Sequence, residues 1–128
     1  MIRLHLLEEF SPEQLALFPE ERREEFLAST KLRYEVVGEV PYGLLGVIYT
    51  SMLAREATVW FVPYPGIRPS WQERRQAKDF NLQEAIGFRP TADVLVDNVT
   101  ANKFARFFGL VKQSTDGRFN RYSGGKNG

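Results

Sequence analysis

The pattern of apolar and polar positions along the 128-residue chain predicts strands alternating with short helices. The clearest segment is 93–110, where an apolar strand runs into Asn98 and a short amphipathic helix follows. Its apolar residues stand at i, i+3, i+4 and i+7, the spacing that lets a helix bury one face. Asn98 is a favoured N-cap because its side-chain oxygen accepts from a free backbone N–H. Gly109 suits a left-handed cap at the other end. The predicted buried face is Ala101, Phe104, Ala105 and Phe108.

The N-terminal half predicts one strand, two helices and three strands. Ser11 opens the first helix, with Pro12 at N1 and Gln14 completing a capping box. Val, Ile, Tyr and Leu are frequent in the three strands, and Pro41-Tyr42-Gly43 is the predicted turn between the first two. We place the third in the centre of the sheet because it is strongly apolar. The predicted ranges are 2–7 for the first strand, 11–19 and 20–29 for the helices, and 32–40, 44–53 and 57–64 for the strands.

The C-terminal half predicts a helix from Ser70, where Glu73 completes a second capping box, toward Ile86. Asn81 restarts this helix after a break, and Gly87 ends it. Asp116-Gly117 lies between two alternating segments, which predicts a hairpin because both residues tolerate positive φ.

The resulting order is β-α-α-β-β-β-α-β-α-β-β. We expect an α/β chain of the α+β type, with one mixed sheet of six or seven strands. A single domain spans 1–122, and residues 123–128 form a flexible polar tail.

Composition excludes several kinds of chemistry. Hydrophobic residues make up 43% and charged residues 26%, as in ordinary globular proteins. The sequence has no run of about 18 apolar residues, so we expect no membrane span, and its first residues do not resemble a secretory signal. With no cysteine, it has no disulfide, thiol nucleophile or cysteine zinc site. His5 is the only histidine and the carboxylates are not clustered, so we expect no metal site.

The net charge of +1 hides an asymmetry between the two halves. Residues 1–65 carry 6 basic against 10 acidic residues, and residues 66–128 carry 11 against 6. This balance fits complementary packing within one domain, and also fits a basic surface for nucleic acid or an acidic partner. We favour the first explanation and place Lys103 and Arg106 on the solvated face of the Asn98 helix. We therefore do not expect nucleic acid binding.

A strand, an Asn-capped helix and then Gly with an apolar residue resemble the closing segment of the GNAT (acetyl-CoA-dependent N-acetyltransferase) fold. The motif of that family in this segment is N-x-x-A-x-x-x-Y-x-x-x-G-F. Four residues of this chain are in register with it: Asn98, Ala101, Gly109 and Leu110. Ala105 stands at the Tyr position. The order of elements is also that of the GNAT fold, so the resemblance covers nearly the whole chain. It implies a sheet splayed between its fourth and fifth strands, where any bound acetyl-CoA would contact Val62, Tyr64 and Asn98.

The resemblance also raises doubts about the chemistry. GNAT enzymes hold the pyrophosphate with Q/R-x-x-G-x-G/A between the fourth strand and the third helix. The corresponding segment, 63–73, contains three prolines, which remove N–H donors. It also contains the bulky Trp71 and the anionic Glu73, whose carboxylate would compete with a phosphate. Arg68, Arg74 and Arg75 could still attract an anion. We therefore expect no tight acetyl-CoA binding and no cofactor.

No catalytic residue is assigned from the sequence. The Tyr that commonly protonates the leaving thiolate is replaced by Ala105, and nothing directs Tyr64 or Tyr122 to take its place. The candidate bases all have ordinary structural explanations: solvation or helix capping for the strand-end carboxylates, and packing or solvent exposure for the histidine. These candidates are Glu56, Asp93, Asp97 and His5.

The chain also looks like small GNAT-like proteins of short-tailed bacteriophages, on the residues Val59–Pro63, Val94–Leu110 and Thr115–Tyr122. That resemblance implies a non-catalytic virion or assembly component, located in the cytoplasm of the bacterial host or in the virion. Its partners would be other phage virion or assembly proteins. The first candidate contact surface is Arg68, Trp71, Arg74 and Arg75.

Two alternatives stay open at this point. Trp71 is either an interface residue or a core residue closing its helix against Phe88. The protein itself could instead be an active acetyl-CoA-dependent N-acetyltransferase acting on an unknown amine or protein.

Overall fold

A computed structural model describes residues 2–18, 20 and 23–124. The order of strands and helices along these residues is the predicted one, with the third helix divided in two. A 3₁₀ turn over Ala77–Asp79 and the restart at Asn81 separate the two parts. The elements are β1 Arg3–Leu7, α1 Pro12–Leu15, α2 Arg23–Ser29, β2 Leu32–Val37, β3 Pro41–Ser51, β4 Glu56–Pro63, α3 Trp71–Gln76, α4 Leu82–Ile86, β5 Arg89–Leu95, α5 Val99–Phe107, β6 Leu110–Asp116 and β7 Phe119–Gly124.

The seven strands form one mixed sheet in the order β1-β2-β3-β4-β5-β7-β6. Every neighbouring pair is antiparallel except β4 and β5, which are parallel and pair only from Glu56–Arg89 to Thr58–Thr91. Beyond Thr58, β4 continues to Pro63 against β3, while β5 continues to Leu95 against β7. The sheet therefore opens between its fourth and fifth strands, as the resemblance implies.

Apolar side chains cover both faces of the sheet. On one face Phe61 of β4 packs against Phe104 of α5 and Phe108 at its C-cap, with ring centroids 4.6 and 5.1 Å apart. On the other face Phe10 and Phe18 pack around Trp60 with Leu44. Alternate residues of β4 thus serve two separate clusters, as expected for a central strand.

Local capping follows the sequence closely. Asn98 accepts from the Ala101 N–H at 3.0 Å, and both bonds of the Ser11–Gln14 capping box are present. Gly109 has a φ of 81°, the left-handed conformation predicted for it. Of the predicted apolar face, Phe104, Ala105 and Phe108 are buried and Ala101 is partly buried, but Asn102 is buried with them.

Two turns and the tail differ from the prediction. Residues 38–40 form the turn between β2 and β3, so Pro41-Tyr42-Gly43 begins β3 instead. The hairpin between β6 and β7 is present, but its two loop residues are Gly117 and Arg118 because Asp116 pairs with Phe119. Ser123 and Gly124, predicted as tail, pair in β7. Residues 125–128 lie outside the described part of the chain, as do Pro19 of the first predicted helix and 21–22 of the second.

Candidate anion-binding cleft

A cavity of about 960 Å³ lies between the β4–α3 connection and α5. The segment from Pro63 to Pro69 borders it on one side, together with Arg74, Ala77 and Lys78. Thr100, Lys103, Phe104, Arg106, Phe107 and Gly109 border it on the other. Pro63 is the last residue of β4, at the end of the strand that has parted from β5, so the cavity lies where the sheet opens.

Five cationic side chains line this cleft, and none of its described lining residues is Asp or Glu. Lys103 and Arg106 are three residues apart and project from one face of α5. Arg74 lies in α3, and Lys78 lies in the 3₁₀ turn that follows it. A cleft lined by one sign of charge concentrates the opposite ion. The cleft is therefore suited to a multiply charged anion. The five cations are Arg68, Arg74, Lys78, Lys103 and Arg106.

The loop between β4 and α3 offers few backbone N–H groups to the cleft. Pro63, Pro65 and Pro69 provide no N–H groups to the cleft, as the sequence predicts. Gly66 has a φ of 74°, with no heavy atom within 4 Å of where a Cβ would stand. Any anion bound here would therefore be held mainly by side chains, and arginine and lysine are the side chains that bind phosphate well.

The expectation that Glu73 competes for a phosphate in this loop is wrong. Its backbone N–H is capped by Ser70 Oγ at 3.1 Å, as predicted, but its side chain is fully buried and turned away from the cleft. Oε1 accepts from the Glu39 N–H in the β2–β3 turn instead of completing the capping box. The carboxylate is thus occupied elsewhere, and the charge facing the cleft is uniformly positive over its described lining.

The four residues of the predicted contact surface fall into two groups. Arg68 and Arg74 line the cleft. Trp71 is 68% exposed, and the Arg75 guanidinium lies 4.9 Å from its ring centroid. The interpretation of Trp71 as a core residue against Phe88 is wrong, because Phe88 stacks on Tyr49 instead.

The three residues expected to contact a bound acetyl-CoA are not gathered at one point. Tyr64 borders the cleft, but its hydroxyl donates to Glu35 Oε2 at 2.5 Å and accepts from Gln14 Nε2 at 3.1 Å. Burial, and next the hydrogen bond to Glu35, raise the pKa of Tyr64 to about 12. Val62 packs in the cluster on the other face of the sheet, and the Asn98 side chain caps α5.

The residues considered for catalysis are either engaged in other contacts or distant from the opening between β4 and β5. Ala105 is buried in the core, and the Tyr122 hydroxyl donates to Asn102 Oδ1 at 2.7 Å. Asp93 pairs with Arg121 at 3.2 Å, and Glu56 lies at the paired end of β4. His5 and Asp97 are exposed.

The described residues contain neither a cluster of metal ligands nor a membrane-spanning helix. No group of three or more His, Asp or Glu side chains there is placed to hold a metal ion. Nor is any helix in that part of the chain both long and apolar enough to cross a membrane.

Solved structures share this architecture. An acetyltransferase of Bacillus subtilis in complex with CoA is 13% identical, with 96% of this chain and 97% of that chain covered and a TM-score of 0.65. The N-acetyltransferase PseH of Campylobacter jejuni in complex with acetyl coenzyme A is 15% identical, with 96% and 97% covered and a TM-score of 0.59. A variant of the spermidine N-acetyltransferase SpeG of Vibrio cholerae is 14% identical, with 95% and 92% covered and a TM-score of 0.56. No protein-family model and no curated protein sequence matches the chain.

These likenesses show the fold. The chain is a single α+β domain with the seven-stranded mixed sheet of the GNAT acetyltransferases. The neighbours are acetyltransferases, and none of them supports a bacteriophage role. At 13–15% identity the likeness carries no activity or substrate to this chain.

Sequence reasoning missed three of the five cleft cations, Lys78, Lys103 and Arg106. It placed the last two on a solvated face, where they are indeed exposed, but that face borders the cleft. The excess of positive charge after residue 65 was the available signal. Periodicity alone could not show that two separate helices direct this charge toward one cavity.

Proposed function

We propose that this protein binds acetyl-CoA, or a related CoA thioester, in the cleft and transfers the acyl group to an amine. The observation that carries the proposal is the cluster of five cations at the end of the sheet where β4 and β5 part. Coenzyme A carries a diphosphate and a 3′-phosphate, and these clustered negative charges complement the cluster of cations in sign. The expectation that no cofactor binds rested partly on Glu73, which is turned away from the cleft.

The residues present fit the group in size and chemistry. A volume of about 960 Å³ lies at the upper end of the roughly 300–1,000 Å³ usual for small-molecule sites. Arg68, Arg74 and Lys78 would hold phosphates from one wall, and Lys103 and Arg106 from the other. β4 beyond Thr58 has no strand partner on its β5 side within the described residues, and such an edge can pair with the amides of an extended ligand.

A bound CoA thioester supplies an activated acyl group, which an amine attacks with loss of the thiol. The chain contributes binding and orientation. It offers no hydroxyl at the position of Ala105 to protonate the leaving thiolate, and the hydroxyls of Tyr64 and Tyr122 are already hydrogen-bonded. We therefore expect proton transfer through solvent and a modest turnover, since a positioned acid or base typically contributes about 10²–10⁴-fold.

Ligand-induced stabilisation tests the proposal directly. CoA at about 100 times its dissociation constant should stabilise the folded protein by roughly 2.7 kcal/mol, which raises the melting temperature by several degrees. Pantetheine, which has the same thiol arm without phosphates, is the matched control and should give no comparable rise. Mass spectrometry of an amine panel incubated with acetyl-CoA then tests transfer. Equal responses to millimolar CoA and pantetheine, or no response to either, would overturn the proposal.

A second candidate is favoured by the exposed Trp71–Arg75 pair. Trp and Arg are enriched at interface hot spots, and 68% exposure of a tryptophan is unusual for a residue with only a core role. A non-catalytic role through protein contacts, including the virion or assembly role suggested by the phage resemblance, would use this pair. Replacing Trp71 and Arg75 by Ala should then abolish co-purification with phage virion proteins while the melting temperature and CoA response stay unchanged. Retention of the partner would contradict this candidate.

A further inference from the structure

We propose that Glu73 is a positioning residue, whose buried carboxylate holds α3 and its cations on the wall of the cleft. The inference rests on the proposed function, because its ligand readout is the binding of CoA.

Helix α3 is attached to the rest of the protein in an unusual way. All six of its residues lie in the described part of the chain, and Glu73 is the only one of them that is buried. A surface helix normally buries an apolar stripe; here the residue in that place is a carboxylate, followed one turn later by Ala77 in the core. The placement of α3 thus depends on what the carboxylate contacts.

The β2–β3 turn receives this carboxylate. Oε1 accepts from the Glu39 N–H, and the space beside it is closed, because a Cβ on Gly38 would stand 2.2 Å from Oε1. No cation pairs with Glu73 among the described residues. Burying an unpaired carboxylate costs free energy, so hydrophobic burial does not explain why this group anchors the helix.

The same carboxylate is linked to the other wall through Tyr42. Glu73 Cδ and the Tyr42 ring atom Cε2 each lie 2.9 Å from where a Cβ on Gly38 would stand, so the carboxylate and the ring are neighbours. Burial first, and the Glu73 carboxylate second, raise the pKa of the Tyr42 hydroxyl well above its ordinary value. The Tyr42 ring meets the Phe107 ring edge to face, with centroids 6.0 Å apart. Phe107 lines the cleft on α5. Glu73 and Tyr42 therefore connect the two walls from which the cations project.

This connection has a direct consequence for the cleft. Arg74 follows Glu73 in the chain and Lys78 lies about one turn further, and both line the cavity. If the carboxylate loses its place in the turn, these two cations lose their fixed distance from Lys103 and Arg106. Phosphate binding should then weaken even though every cation is still present.

Three variants test the anchor. Glu73→Ala removes it, and Glu73→Gln keeps an oxygen that can accept from the Glu39 N–H. Gly38→Ala keeps Glu73 in the sequence but introduces a methyl group that displaces its carboxylate from the turn. Glu84→Ala is the matched control, because Glu84 has the same position in α4, with its N–H capped by Asn81 at 3.2 Å, but its side chain is exposed.

The first readout is amide hydrogen exchange without ligand. Glu73→Ala and Gly38→Ala should accelerate exchange at 74–77 at least tenfold relative to the amides of α5, while Glu73→Gln and Glu84→Ala leave that ratio near wild type. Equal acceleration in α3 and α5 would show ordinary destabilisation and overturn the proposal. If Glu73→Ala does not fold, Gly38→Ala and Glu73→Gln still decide between these outcomes.

The second readout is the dissociation constant of CoA measured by calorimetry below the melting transition. We expect at least a fivefold rise for Glu73→Ala and Gly38→Ala, and less than twofold for Glu73→Gln and Glu84→Ala. An unchanged constant despite faster exchange in α3 would also overturn the proposal. If wild type does not bind CoA, the proposed function fails, and the exchange ratio alone decides whether Glu73 holds α3.

Discussion

The Tyr122 hydroxyl donates a 2.7 Å hydrogen bond to Oδ1 of Asn102, and both side chains are buried. The same oxygen accepts from Asn120 Nδ2 at 3.0 Å. Asn102 Nδ2 in turn donates to the backbone oxygens of Leu95 and Asn98, at 3.0 and 2.7 Å. This network joins the end of β5, helix α5 and strand β7, which together form one side of the opening in the sheet.

Removal of Asn102 should therefore be costly. We expect Asn102→Ala to lower the free energy of unfolding by about 2–4 kcal/mol, because each buried polar group left unpaired costs about 1–3 kcal/mol. Tyr122→Phe removes only one bond and should cost about 1 kcal/mol. Urea denaturation measures both. Loss of acetyl transfer in Tyr122→Phe at unchanged stability would contradict the structural role and make Tyr122 a catalytic acid.

Each cation of the cleft should contribute to the affinity for CoA. We expect Arg74→Gln and Arg106→Gln each to raise the dissociation constant of CoA about tenfold, near 1.4 kcal/mol, and to reduce its salt dependence. Arg121→Gln is the control, because Arg121 pairs with Asp93 and does not line the cleft. Calorimetry at two salt concentrations measures these effects. A loss of affinity in Arg121→Gln as large as in the cleft variants would show that net charge alone matters.

Alkaline pH should weaken the fold through Tyr64. Its pKa is about 12 in the folded protein and 10.0 ordinarily, so the folded state holds this proton more tightly. That stabilisation is fully present below about pH 10 and is lost as the pH rises through about 12. In Tyr64→Phe, the urea midpoint should fall less steeply between about pH 10 and 11.5 than in wild type. Tyr49→Phe is the control, and an equal reduction of the slope in both variants would contradict this assignment.

Gly46 should tolerate no larger residue. A Cβ there would stand 2.0 Å from ring atoms of Trp60 on the neighbouring strand. We expect Gly46→Ala to cost about 1–3 kcal/mol, as overpacking of a core usually does. Thr50→Ala, at an exposed position of the same strand, should change the unfolding free energy by less than about 0.5 kcal/mol. Equal midpoints for the two variants in urea denaturation would show that the Trp60 ring moves aside freely.

The sequence by itself determined the order of elements and most helix ends. Asn98, Ser11 and Gly109 act within a few residues of themselves, so their capping roles can be predicted without knowledge of the fold. The buried face of α5 follows from its spacing for the same reason. The opening between β4 and β5 was predicted only through the resemblance, because strand pairing joins residues far apart in the chain.

Tertiary structure alone decided the long-range contacts of the charged and polar residues. Ser70 and Glu73 have the pattern of a capping box, yet the Glu73 carboxylate finds the Glu39 N–H more than thirty residues away. Lys103 and Arg106 follow the pattern of a solvated face, yet they line the same cavity as Arg74, on its opposite wall. A side chain takes its partner from whichever segment the folded chain brings near it, and local periodicity carries no information about that segment. The sequence therefore determined the scaffold, and the packing of α3 and α5 decided that it has a cationic cleft.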